Sequence, residues 1–404
     1  MPVSDLGSAQ AQRHMAASPR RDDASQVQRR PKTSLAQSFY LPQLVPALLL
    51  IAYGAVVIWS ASLNIYAANF PRHMIGIVLG LGTAWFIRNY DYRAFANMST
   101  ALFIFDCLLM ISPRIPGLGV FGMGMTGWVR IPFIRLTFQP SEVAKIVTIF
   151  LMASLGAQYN GKIESLREYV KLCAILTVPF LLILLQPDLG TGLIVLVTGA
   201  SIIIVSGARR SWVLVTIGLI VLVATLAIVT SMTPGLPHIL KEYQLNRLIV
   251  FVDPSVDPGG SGYNLQQSKI AVGSGGLFGK GIGNASQSGT GFLPEAHTDF
   301  VFALLSEEFG FVGSISLLAL FGWMIFAAIE LAQRLEQPFG KLVLAGIVTM
   351  WSFQVLQEVG MCIGIMPITG IPLPFISFGS TSMVAQCMAI GVVQSVWHFR
   401  TKAA

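Results

Sequence analysis

Residues 189–231 read LGTGLIVLVTGASIIIVSGARRSWVLVTIGLIVLVATLAIVTS. Two apolar runs, 189–206 and 211–231, flank a short turn that holds Arg209 and Arg210. Roughly 20 apolar residues in helical form cross a bilayer. Basic residues collect in the short connections on the cytoplasmic side. The stretch therefore predicts a helical hairpin that crosses a membrane twice and turns inside the cell.

The same pattern repeats in both directions. Ten apolar segments fall at 41–62, 73–88, 95–112, 141–158, 168–186, 189–206, 211–231, 310–333, 341–366 and 377–397. Each short inside connection then carries basic residues, among them Arg88 and Arg93, Lys162 and Arg167, and Arg334 and Lys341. This orients both termini toward the cytoplasm. The fold class is all-α, a polytopic membrane protein with about ten transmembrane helices. Residues 1–40, with Arg20, Arg21, Arg29, Arg30 and Lys32, predict a disordered basic cytoplasmic tail. Residues 41–398 form the transmembrane domain, and 399–404 a short cytoplasmic tail.

Composition agrees. Of 404 residues, 54% are hydrophobic and 11% charged, against about 25% charged in a soluble domain. Mean hydropathy is +0.68. These values exclude a soluble globular enzyme, a disordered chain and a nucleic-acid binder with a basic groove. The net charge of +7 reports membrane orientation and calls for no nucleic-acid partner. Cys107, Cys173, Cys362 and Cys387 all lie in apolar runs without paired spacing, so neither a disulfide framework nor a zinc motif is expected. The first 35 residues hold no apolar signal-peptide core.

Three extracytoplasmic connections stand out. Residues 113–140 are rich in Pro and Gly. Residues 232–298, between the seventh and eighth spans, carry Gly259–Gly262, Gly273–Gly276 and Gly279–Gly283. Residues 367–376 hold Pro367, Pro372 and Pro374, which forbid a continuous helix. One helix over 299–333 would run about 52 Å against a hydrocarbon core of about 30 Å. That stretch is therefore expected to break near Glu307–Gly310.

Acidic residues near a bilayer are costly and mark function. Glu142, Asp188, Asp299 and Glu358 all fall toward the outer half. Asp106 sits mid-span with no evident partner. In QPSEVAK (139–145), Pro140 suits a helix start, and Glu142 and Lys145 share a face at i,i+3. They read as an intrahelical ion pair or as the wall of a polar cavity. In QPDLG (186–190), Asp188 reads as an N-cap or as a second carboxylate of that cavity. LPEAHTDF (293–300) groups Glu295, His297 and Asp299 at the end of the Gly-rich loop. A carboxylate there can take a proton from a hydroxyl. His297 alone makes no zinc site. Arg247, Lys269 and Lys280 are fixed cations among glycines whose N–H groups suit a phosphate, although plain loop flexibility is the simpler reading.

With FVDPSVDPGGSGYNLQQS (251–268) and PITGIPLPFISFG (367–379), these motifs resemble the SEDS family of RodA, FtsW and SpoVE over about 41–398. The resemblance implies a membrane glycosyltransferase that polymerises lipid II into peptidoglycan. It implies a class B penicillin-binding protein as transpeptidase partner, together with membrane proteins of the elongation complex. Gln267–Ala271 and Val57–Ser62 look like the elongation branch, which builds rod shape. Leu293–His297 looks as much like the division branch.

By position, the family's essential Asp falls on Asp299, the expected general base. The implied reaction is inverting transfer of a glycan from an undecaprenyl-pyrophosphate carrier to a sugar hydroxyl. Cations, or a divalent ion such as Mg or Mn, belong beside the leaving pyrophosphate. Arg247, Lys145 and Arg130 (or Arg135) are the candidates, with Glu142, Asp188, His297 and Lys269 lining the cavity. Glu358 departs from the family, which usually has Asn there, and Ser380 replaces a Gly. Rival readings are a lipid II flippase and a non-catalytic scaffold, but no inverted repeat is evident.

Overall fold

A computed structural model of the chain describes residues 38–122, 125–130, 137–233, 235, 238, 240–289 and 291–400. The predicted tail over 1–40 lies almost wholly outside these residues, as does most of the tail over 399–404. Ten helices fall on the ten predicted segments. They are α1 (Leu41–Asn64), α2 (Phe70–Arg88), α3 (Ser99–Ile111), α4 (Pro140–Ala157), α5 (Leu166–Leu184), α6 (Leu189–Val205), α7 (Arg210–Met232), α10 (Val301–Arg334), α11 (Pro338–Ile363) and α12 (Ser380–Phe399). Two further helices, α8 (Glu242–Val252) and α9 (Ser261–Ser274), lie in the long loop. Among the described residues six helices are long and apolar enough to cross a membrane: α1, α2, α4, α7, α10 and α11. One small departure from the all-helical expectation is an antiparallel sheet of β1 (Gly119–Gly122), β2 (Met125–Arg130) and β3 (Thr137–Phe138).

Local signals explain the helix ends. Asn69 caps α2 by accepting from Arg72 N. Ser165 and Glu168 form a capping box at α5. Gly364 closes α11 in the left-handed conformation that glycine adopts freely.

Packing separates an inner helix from an outer one. In α4 nearly every side chain is buried. It is surrounded by α3, α6, α11 and α12, and Thr148 on it donates to Asp106 Oδ2 at 2.8 Å. Asp106 thus has the partner its sequence position did not reveal. In α7 only Ala227 and Ser231 are buried, so its apolar surface suits lipid contact. Small residues let α2 and α12 approach closely: a Cβ on Gly80 would stand 2.8 Å from Cys387 Sγ.

The expected break in 299–333 falls at Gly310, with φ 66° and ψ −162° inside α10. A Cβ there would collide with Gly279 N and Leu277. The Gly-rich loop wraps the helix just before this break. Glu307 accepts from Ser286 N at 2.9 Å, Gln287 N at 2.9 Å and Ser288 N at 3.0 Å, and pairs with Lys280 Nζ at 2.7 Å. Glu308 accepts from Ser60 Oγ at 2.6 Å, which ties α10 to α1, and Gly283 N donates to the same Ser60 Oγ at 2.8 Å, which ties the loop to α1. The backbone N–H groups of Ser286, Gln287 and Ser288 thus serve an internal carboxylate.

Candidate active site

Three helix starts and the proline-rich segment 367–376 converge at the long-loop end of the bundle. Pro140 opens α4, and Glu142 sits in its first turn, where the helix dipole favours an anion. Lys145 Nζ lies 2.9 Å from Glu142 Oε1, and both side chains are buried. Glu142 Oε2 has no hydrogen-bond partner among the described residues.

Asp188 caps α6, its Oδ1 accepting from Thr191 N at 3.0 Å. Its Oδ2 accepts from Gln139 Nε2 at 3.4 Å. Asp188 is therefore the N-cap of α6, and its second oxygen is tied to Gln139 of the QPSEVAK motif. Burial pushes the Asp188 carboxyl up and the Thr191 N–H pulls it back, with Glu142 raising and Lys145 lowering it further. The two sequence motifs thus act on each other electrostatically.

Segment 367–376 lies against the start of α6 and against Asp299. At Gly190 a Cβ would meet Thr369 O at 2.9 Å. Gly370, at φ 71°, puts its backbone so close to Asp299 that a Cβ would stand 3.1 Å from Oδ2. Arg247 Nη1 on α8 donates to Thr369 O at 3.3 Å. Tyr243, one turn earlier, donates to Pro187 O at 3.3 Å, with the Arg247 guanidinium 5.8 Å from its ring centre. Arg247, Asp188, Thr369, Gly370 and Asp299 therefore share one corner.

Asp299 is half-buried there, just before α10. Its backbone is held from two sides. Asp299 N donates to Glu295 O at 3.0 Å. On the other side, Phe378 N donates to His297 O at 2.9 Å and Ser377 Oγ donates to Thr298 O at 2.7 Å. Burial pushes the Asp299 carboxyl up to about 6, Glu295 and Asp188 adding to the rise and Arg247 opposing it. A carboxyl in that range is mostly ionised at neutral pH yet more basic than an ordinary Asp. Those are the properties a general base needs.

The other candidates are spread out. His297 is buried, with its ring 5.6 Å from Phe378 and Nδ1 without a partner among the described residues. Burial lowers its pKa, so it supports the loop as a neutral ring. Lys269 is exposed and lies over Gly364, at the end of α11. There its charge complements the helix C-terminus, apart from the Asp299 corner. Arg130 is exposed at the end of β2, paired in register with Thr137; Arg135 lies outside the described residues. Sequence reasoning did not single out Tyr243, Thr369, Gly370 or Gln139. Gly370 had a usable signal, a glycine among prolines where a sharp approach is needed. Tyr243 had none.

Among the described residues no three His, Cys, Asp or Glu side chains converge closely enough to hold a metal ion. The residues present do not by themselves fit a divalent-cation site. The positive charge of the corner belongs to Arg247, with Lys145 already committed to Glu142.

A family model described as cell cycle protein, covering FtsW, RodA and SpoVE, matches residues 42–402. Stage V sporulation protein E of Bacillus subtilis is 34% identical over 364 residues, 88% of this chain and 96% of that protein. Peptidoglycan glycosyltransferase MrdB of Escherichia coli is 34% identical over 357 residues, 88% of this chain and 93% of that protein. A solved peptidoglycan synthase complex, described as coordinating polymerization and crosslinking, superposes with a TM-score of 0.74 at 27% identity, covering 90% of this chain and 99% of that one. The crystal structure of the rod shape determining protein RodA of Thermus thermophilus superposes with a TM-score of 0.65 at 26% identity, covering 90% and 98%. The helices, their order and the full-length match agree: this multi-pass membrane protein belongs to the SEDS family of FtsW, RodA and SpoVE.

Proposed function

We propose that this chain, a peptidoglycan glycosyltransferase of the SEDS family, polymerises lipid II on the outer face of the bacterial cytoplasmic membrane, with Asp299 as general base. The observation that carries the reading is the corner itself. A half-buried carboxyl, raised to about 6, shares it with one arginine and two further acids.

The chemistry follows from those groups. Asp299 takes the proton of the acceptor sugar hydroxyl as its oxygen attacks the anomeric carbon of the donor. The bond from that carbon to the pyrophosphate oxygen breaks, and the configuration inverts from α to β. Negative charge grows on the leaving lipid pyrophosphate, and Arg247 is the cation placed to offset it. Glu142 holds Lys145 at the start of α4, and Asp188 fixes the start of α6. Both keep the cavity wall in register.

Rod elongation is the favoured role, on the likeness of Gln267–Ala271 and Val57–Ser62 to the elongation branch; division is the alternative. A class B penicillin-binding protein is the proposed partner, because the synthase complex above joins polymerization with crosslinking. The test is the purified chain, with and without that partner, given labelled lipid II. Glycan polymer resolved on a gel is the expected product. Transfer of lipid II across vesicles without polymer would replace this reading with a flippase.

A further inference from the structure

Glu358 lies on α11, inside the bundle and fully buried. A buried acid in a membrane protein is costly and calls for a reason. Oε1 accepts from Phe302 N at 3.2 Å. Phe302 is in the first turn of α10, where N–H groups have no partner within the helix. Phe300, at the N-cap of α10, offers no side-chain bond, so Glu358 supplies the cap from another helix. Cys362 Sγ, one turn on, is 3.6 Å from the same oxygen, and Oε2 has no partner among the described residues.

The neighbouring residue does the matching task on the other side. Gln357 Nε2 donates to Pro367 O at 2.8 Å. Pro367 leads directly into Thr369 and Gly370, the backbone that lies against Asp299 Oδ2. Adjacent side chains of α11 therefore hold both walls of the corner. Glu358 anchors the helix turn that follows Asp299, and Gln357 anchors the segment that faces it. Asp299 is also near enough for its charge to act on Glu358.

We propose that Glu358 is a positioning residue for Asp299. By capping α10 it fixes the carboxylate where the acceptor hydroxyl must meet it, with Gln357 fixing the facing backbone. The proposal rests on the reading of Asp299 as general base. Small displacements of a reacting group cost large factors in rate, so a cap three residues away from the base is placed to matter.

The test uses the full-length chain, with its penicillin-binding partner where the wild type requires one, and labelled lipid II. Initial rates per folded molecule against substrate concentration separate kcat from KM. Glu358→Ala is expected to lower kcat about tenfold or more, with KM within about twofold of wild type. Glu358→Gln keeps an oxygen for Phe302 N and is expected to restore kcat to within about threefold. Should E358A not accumulate, Glu358→Met, of similar size without a strong acceptor, carries the same test. A kcat undiminished in E358A or E358M overturns the proposal, as does an E358Q variant as slow as they are. No polymer from the wild type would instead count against the glycosyltransferase reading.

Discussion

Glu307 and Asp299 stand a short way apart in the chain, at the same end of the bundle, in opposite surroundings. Three backbone N–H groups, three serine hydroxyls and a lysine converge on Glu307. Asp299 has burial and two neighbouring acids that raise its pKa, opposed by Arg247 and by the Thr298 hydroxyl, with no backbone N–H of the described residues among the groups that lower it. Hydrogen bonds to the ionised form keep a carboxylate charged and hold it in place. Such a group organises a loop and is poorly suited to trade protons. A carboxylate left short of donors is raised toward the pH at which it works, which suits a base. Counting acids near the membrane would rank the two alike; counting the donors around each tells them apart.

The contrast is open to attack from either side. The largest expected effect is on Glu307. Glu307→Gln removes one partner of a buried pair and leaves several donors unmatched, so stability is expected to fall by about 3 kcal/mol. Thermal unfolding in detergent measures it, and the rate per folded molecule should be unchanged. A loss of rate without loss of stability would erase the distinction.

Next comes Arg247→Ala. It removes the cation of the corner, and kcat/KM for lipid II polymerisation is expected to fall about 10²-fold. An unaffected rate would take Arg247 out of the site.

The pH dependence follows from Asp299. On the proposed role the carboxylate is the active form, so activity is expected above its pKa and is expected to be lost as pH falls through about 6, by about tenfold for each further unit. A pH–rate profile of kcat/KM, flat down to the range of an ordinary Asp, would contradict the assignment.

The smallest effect is Tyr243→Phe. It deletes one neutral hydrogen bond to Pro187 O, which is worth about 1 kcal/mol, or roughly fivefold in rate if the whole bond steadies Arg247. Steady-state rates of the variant give the value directly.

What the sequence reveals and what it hides divides along the same line. Helix positions were legible because a spanning helix needs its apolar residues consecutively, and the break at Gly310 followed from length alone. QPSE and QPDL were legible as helix starts because Pro140 and Asp188 act on their own next turn. The site corner was only partly legible. Asp299 stood out by its company in LPEAHTDF, but the bond from Arg247 to Thr369 joins residues 122 apart. Nothing local in either residue signals it. The same holds for Asp106, whose partner Thr148 sits on another helix, and for Glu358, whose partner is a backbone N–H of α10. The same holds in the long loop, where the N–H groups of Ser286, Gln287 and Ser288 gather around Glu307, 19 to 21 residues further along the chain.

The most direct measurement sets the two carboxylates side by side. Wild type, Asp299→Asn and Glu307→Gln are purified, their folded fractions determined, and each is given labelled lipid II. The account predicts that D299N folds with wild-type stability and loses about 10³-fold in polymerisation, while E307Q is less stable and polymerises normally per folded molecule. If D299N polymerises at the wild-type rate, Asp299 is not the base.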